Sequence, residues 1–253
     1  MSYVVITGAS AGIGERFAQA LAAEKQNLIL VARREERLNK LAAELKQKHG
    51  IEAVVLKADL ADEAGADALA RQIQDGGWAL SGLINNAGFG DRGAFADLAL
   101  ERQLAMIRLN VTSLVSLTWQ LLPSLRKHPG SFVINVASTA AFQAGPNMAI
   151  YYATKAFVLS FSEALHEELR DSGVAVSALC PGATDSEFAQ EANMTNTKLF
   201  KAGTMTAEAV VQQSLAQRRK AIVIPGLRNR LMIWSGKLSP RAVTRRLAGW
   251  LQA

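Results

Sequence analysis

The sequence predicts a single α/β domain: a doubly wound parallel sheet of about seven strands with helices on both faces. Three observations carry this. Short β-branched runs alternate with amphipathic helical patterns from the first residues onward. The strand-like runs are apolar almost without interruption, as in parallel strands buried on both sides. The chain has 253 residues, enough for one large domain and short for two.

The elements follow in order. A strand over residues 3–7 runs through a glycine-rich turn into a helix over 12–23. Further strands fall at 27–32, 52–58, 82–85, 131–136 and 175–179, with a last one at 221–224. Helical periodicity occupies 34–48, 63–74, 101–127 and 153–170. Residues 185–205 are the least regular long stretch, polar and holding Asn193, Asn196 and Gly203. A loop of that length reads as a substrate-covering segment. Its Phe188, Met194, Leu199 and Phe200 could line a pocket or form the buried side of a short helix. The expected organisation is one α/β domain over 1–225 and a basic amphipathic tail over 226–253.

Composition narrows the class. Hydrophobic residues are 49% and charged residues 20%, which suits a folded globular chain. The one cysteine, Cys180, excludes an intramolecular disulfide and a cysteine-built zinc site; in its apolar surroundings it reads as a quiet buried thiol. The first residues enter a strand pattern with no basic, apolar leader, and no uncharged apolar run approaches the roughly 20 residues of a membrane span. A cytoplasmic location is the expectation.

Net charge is +6, and it is localised. Arg228, Arg230, Lys237, Arg241, Arg245 and Arg246 lie in the tail, which has no Asp or Glu; elsewhere 22 basic residues meet 22 acidic ones. That distribution argues against a nucleic-acid-binding surface. The tail mixes these bases with Leu231, Met232, Ile233, Trp234, Leu247, Trp250 and Leu251. Packing on its own domain or on a partner subunit is the preferred reading, over contact with an anionic membrane surface.

The motif TGASAGIG occupies residues 7–14, directly after the first strand. Gly8 permits a tight turn, Gly12 lets backbone approach a pyrophosphate, and Gly14 allows close packing of the next helix, whose free N–H groups and dipole favour phosphate. The spacing is Gly-x-x-x-Gly-x-Gly. At the end of the second strand, where NAD-binding folds carry an acid for the ribose 2′-hydroxyl, stand Ala32, Arg33 and Arg34. Guanidinium groups there suit a 2′-phosphate, hence NADP(H).

Tyr151 and Lys155 are four apart on a helical segment and share a face. An ammonium beside a phenol favours the phenolate, so a tyrosine tuned this way exchanges a proton with a carbonyl oxygen near neutral pH. Tyr152 lies three before Lys155, and spacing alone does not choose between the two.

Together these motifs resemble the short-chain dehydrogenase/reductase (SDR) family, over nearly the whole chain. TGASAGIG matches its nucleotide turn, which brings in Ser10 and Ile13. Asp59 and Leu60 stand where its aspartate contacts adenine, and Asn85, Asn86, Ala87 and Gly88 match its NNAG. Asn110, Ser138, Tyr151 and Lys155 fall at its catalytic positions; Pro181, Gly182 and Thr184 stand where it meets the nicotinamide. The resemblance implies a Rossmann-type fold and an NADP(H)-dependent oxidoreductase interconverting a small-molecule carbonyl and alcohol. It selects Tyr151 as acid/base, with Ser138 polarising the carbonyl, Lys155 lowering the tyrosine pKa and holding ribose hydroxyls, and Asn110 supporting a water. It also implies a homodimer or homotetramer joined through helices near 101–127 and 151–171. The alternatives are a non-catalytic NADP-binding regulator and a membrane-associated reductase of lipid-like ketones.

Overall fold

The computed structural model describes residues 1–252. The strands are β1 (Ser2–Thr7), β2 (Asn27–Ala32), β3 (Ala53–Lys57), β4 (Ala79–Asn85), β5 (Phe132–Val136), β6 (Ala175–Leu179), the two-residue β7 (Thr184–Asp185) and β8 (Met205–Thr206), and β9 (Ile222–Val223). The helices are α1 (Gly12–Ala23), α2 (Glu35–His49), α3 (Gly65–Asp75), α4 (Leu100–Ile107), α5 (Ser113–Leu125), α6 (Ala149–Glu168), α7 (Glu187–Glu191), α8 (Lys198–Lys201), α9 (Ala207–Ala216), α10 (Leu227–Leu238) and α11 (Arg241–Gln252). Seven strands form one sheet in the order β3-β2-β1-β4-β5-β6-β9, and all its ladders are parallel.

The apolar strands are explained by burial on both faces. Val4 and Ile6 of β1, with Leu28 and Leu30 of β2, pack against Phe17, Leu21 and Leu38 of α1 and α2 and Val210 of α9. Val5, Ile29 and Val31 point the other way, against Leu69 and Ile73 of α3 and Leu117 and Leu121 of α5. Alternate residues thus serve two core layers, so neither face shows a polar period. The strand order reverses between β1 and β4, which opens a crevice beyond their carboxyl ends.

Two segments depart from the sequence reading; the tail follows its preferred one. The helix expected over 101–127 is two, joined by a π-helical turn at Arg108–Thr112 that turns Asn110 inward, 1% exposed. The irregular segment 185–205 holds α7 and α8, and its ends close as β7 pairs with β8. The tail forms α10 and α11, which fold back on the body through buried Ile233, Ala248 and Gln252. Among the described residues no helix is long and apolar enough to cross a membrane.

Candidate active site

The crevice begins at the glycine turn. Gly8 and Gly12 have φ of +67° and +56°, a left-handed region that other side chains rarely adopt. A side chain at Gly14 would strike the Gly8 carbonyl and the Asn86 amide. Thr7 staples the turn to β4: its Oγ1 donates to the Ile84 carbonyl at 3.2 Å and accepts from the backbone N–H of Asn86 and of Ala87, each at 3.0 Å. The Asn86 side-chain amide donates to the carbonyls of Thr7 and Gly8 at 3.0 and 3.2 Å. The N-cap of α1, Ala11, has no side-chain acceptor for the first-turn N–H groups. Those donors sit at the crevice and suit an anion.

Asn85 acts on the sheet itself. Its amide donates to Thr118 and Asn135, and Asn135 donates to Ser162, each bond at 2.9 Å. This buried chain ties β4 and β5 to α5 and α6.

The crevice is a single cleft of about 480 Å³. Gly8, Ser10, Gly12, Ile13, Arg33, Arg34, Asp59 and Leu60 line one end; Asn86, Ala87, Gly88, Ser138, Tyr151, Lys155, Pro181, Gly182 and Thr184 line the remainder. Of the expected site residues, Gly14 lies behind the turn and Asn110 behind Gly88. At the outer end, Arg33 is exposed and stands 3.8 Å from Asp59. Arg34 donates to the Ser10 hydroxyl at 3.1 and 3.2 Å and pairs with Glu187 at 2.7 Å, while Arg37 pairs with Glu187 at 2.6 Å. The Arg34 and Arg37 guanidinium groups hold the Glu187 carboxyl below its ordinary pKa. Neither Arg37 nor Glu187 stood out in the sequence.

At the inner end the two tyrosines separate. The Tyr152 hydroxyl accepts a hydrogen bond from the Gln252 side chain at 2.8 Å and is thereby tied to α11. Tyr151 faces Phe188, with ring centroids 5.5 Å apart, and lines the cleft together with Ser138. Ser138 also caps the short 3₁₀ turn Thr139–Phe142, its Oγ accepting from the Ala140 N–H at 3.1 Å. Lys155 is 5% exposed, and its Nζ donates to the Val136 carbonyl at 2.8 Å. Asn110 spends its side chain on structure. It brackets Phe89 by accepting from that residue's N–H at 3.1 Å and donating to its carbonyl at 3.0 Å, and it donates to Thr154 at 3.1 Å.

The electrostatics correct one expectation. Burial raises the Tyr151 phenol well above its ordinary pKa, and the neighbouring Ser138 hydroxyl offsets this only in part. Burial also lowers Lys155 to about 8. Desolvation opposes charge on both groups and is the leading cause of both shifts. Cys180 is fully buried and its thiol is pushed up to about 12, an inert group.

Segment 185–205 lies as a lid on the cleft wall and answers the choice left open for its apolar residues. Phe188, Met194, Leu199 and Phe200 pack in one cluster with Met148, Tyr151 and Tyr152, and they also line the cleft. The tail closes the same wall with Met232, Ala248, Leu251 and Gln252. Arg92 clasps lid and tail together, donating to the carbonyls of Asn193 at 2.9 Å and Gln252 at 2.8 Å. These tail contacts carry no sequence motif. Among the described residues no group of three or more His, Cys, Asp or Glu could hold a metal ion.

The short chain dehydrogenase family model matches residues 2–197. A serine 3-dehydrogenase of Agrobacterium fabrum is 37% identical over 187 residues, covering 73% of either chain. A short-chain dehydrogenase from Sphingobium yanoikuyae, solved in complex with NADPH, is 33% identical and covers 94% of both chains at a TM-score of 0.84. A 7β-hydroxysteroid dehydrogenase superposes at a TM-score of 0.89 with 26% identity, covering 98% of this chain and 96% of its own. With that match, a seven-stranded Rossmann-type sheet and a cleft at its carboxyl edge, the chain belongs to the short-chain dehydrogenase family and is an oxidoreductase acting on an alcohol/carbonyl pair.

Proposed function

We propose that the protein is an NADP(H)-dependent reductase of bulky apolar carbonyl compounds, with Tyr151 as its general acid. The observation that carries this is the buried Tyr151–Lys155 pair beside half-buried Ser138, set where the glycine-turn cleft meets an apolar lid.

The residues fit a dinucleotide. The cradle at Gly8 has no room for a side chain, Gly12 holds a left-handed φ that disfavours one, and the uncapped N-terminus of α1 offers donors to a pyrophosphate. Arg33, Arg34 and Ser10 would hold the 2′-phosphate; Asp59 and Leu60 would flank the adenine; Ile13 would cover the turn. Asn86, Ala87, Gly88, Pro181, Gly182 and Thr184 would surround the nicotinamide end, with Lys155 on its ribose hydroxyls. When bound, the dinucleotide supplies the hydride that adds to the carbonyl carbon.

The protein's own task is the oxygen. Ser138 donates a hydrogen bond to the carbonyl oxygen. Tyr151 delivers its phenolic proton to the oxygen as negative charge develops there, forming the alcohol. The Lys155 ammonium, one helical turn away, stabilises the phenolate left behind. Asn110 positions the Gly88–Phe89 backbone against α6. Phe188, Met194, Leu199, Phe200, Met232 and Leu251 select an apolar substrate. The likeness to a hydroxysteroid dehydrogenase supports that class, and the likeness to an NADPH complex supports the cofactor. A homodimer or homotetramer is proposed through α5 and α6, where Trp119 is 76% exposed and Phe157 also reaches solvent.

Spectrophotometric oxidation of NADPH and NADH against a panel of small and bulky ketones tests this reading. Turnover is expected with NADPH and a bulky ketone. Tyr151→Phe should lower kcat about a thousandfold with unchanged NADPH affinity, whereas Tyr152→Phe should stay active. Equal use of NADH refutes the phosphate site, and loss of activity in Tyr152→Phe alone refutes the acid.

A further inference from the structure

The tail's inner side walls the cleft; its outer side faces solvent, with the Lys198 ammonium 4.3 Å from the Trp250 ring centroid at its edge. On α10, Leu227, Leu231, Trp234 and Leu238 recur at intervals of four, three and four, one narrow stripe. All four are exposed, Trp234 to 66%, and they lie opposite buried Ile233 and cleft-lining Met232. On α11, exposed Val243, Leu247 and Trp250 recur at four and three, opposite buried Ala248 and Gln252. Both helices are therefore apolar on two faces, whereas one suffices to close the wall.

Charge selects the occupant. Arg228 lies on one flank of the α10 stripe and Arg230 and Lys237 on the other, and Arg246 borders the stripe of α11. All six basic residues of the tail are exposed, and among the described residues none forms a salt bridge with a carboxylate. A second copy seated on this surface in self-complementary fashion would oppose its own uncompensated bases. A polynucleotide would answer the bases and leave the leucine stripe in water. An anionic bilayer answers both: phosphates meet the arginines, and the leucines and tryptophans sink to the depth of the headgroups.

We propose that α10 and α11 dock the protein peripherally on anionic membrane surfaces through their outward apolar stripes. The chain lies on the bilayer and does not cross it. Trp234 and Trp250 sit at the interfacial level where indole rings concentrate, and the body stays in water with the cleft behind the docked wall.

Flotation of the full-length protein tests this, using vesicles of phosphatidylcholine alone and of phosphatidylcholine with an equal share of phosphatidylglycerol. Truncating the tail would uncover the cleft, so point variants serve instead. The wild type should float with the anionic vesicles only, and high salt should release it. Leu231→Ser/Trp234→Ser should abolish flotation with an unchanged unfolding midpoint. Arg230→Gln/Lys237→Gln/Arg246→Gln should weaken partitioning about fivefold per charge removed. Failure of the wild type to float on anionic vesicles overturns the proposal, as does flotation unaltered by the Leu231/Trp234 exchange. Sedimentation velocity without vesicles provides the rival outcome: a larger species that the same exchange dissociates would make the stripe an interface between copies, which also overturns it.

Discussion

The two ends of the cleft are built on opposite principles. The nucleotide end is backbone: glycines with positive φ, an uncapped helix N-terminus, and a threonine stapling one turn to the next strand. The substrate end is side chain: aromatic and aliphatic groups contributed by α6, the lid and the tail, from residues about a hundred positions apart. A backbone site tolerates almost no substitution, because the ligand is met by atoms every residue shares. A side-chain site changes its ligand by changing its lining. The contrast teaches where this protein is rigid in chemistry and where it is free to be specific.

Four variants break or sharpen that contrast. The largest effect is expected at Gly14, where even a methyl group meets the Gly8 carbonyl. Gly14→Ala should cost about 1–3 kcal/mol in stability and, by shifting the turn, weaken dinucleotide binding roughly a hundredfold. Calorimetric titration with NADPH and denaturant unfolding check it.

Next comes Lys155, where the two ends meet. Its folded pKa of about 8 lies below the unfolded value of 10.5, so between these pH values the unfolded chain binds the extra proton. Stability from this group therefore rises as pH increases from about 8 to 10.5, and below 8 the full cost of burying charge is present. In Lys155→Met that rise should vanish, a change of roughly 3 kcal/mol in the pH-dependent part of the unfolding free energy. Parallel pH profiles for the two proteins would show that the buried ammonium is already well solvated.

Arg33→Ala removes a charged donor at the outer end and should weaken NADPH about ten- to a hundredfold while leaving NADH unchanged. Equal losses for the two cofactors would move the 2′-phosphate from Arg33. The smallest effect is expected at the lid and tail. Leu251→Ala should lower kcat/KM for a bulky ketone about tenfold and leave NADPH affinity intact. If NADPH affinity falls as well, the two ends are not separable.

The same contrast explains what could be read in advance. The parallel sheet was legible because alternate residues of β1 and β2 serve different core layers, which leaves an uninterrupted apolar run in one dimension. The nucleotide end was legible because backbone geometry demands glycine at particular steps along one turn, so the constraint is local. Asn110 was legible as a position but not as a geometry: the π-turn carrying it inward left no mark in the helical periodicity. Arg37, Glu187, Arg92 and Gln252 were illegible. Each matters through a partner about a hundred or more residues away, and such pairs leave no spacing to read.

The amino-acid sequence by itself determined the family, the sheet, the phosphate-binding turn and the candidate catalytic group, because each is written in residues close together along the chain. The tertiary structure alone decided that Tyr152 is tied to α11, that burial opposes charge on Tyr151 and Lys155, and that the basic tail is a wall of the cleft with a second, outward apolar face. Those outcomes depend on which distant segments exclude water from one another, and water is excluded only once the chain has folded.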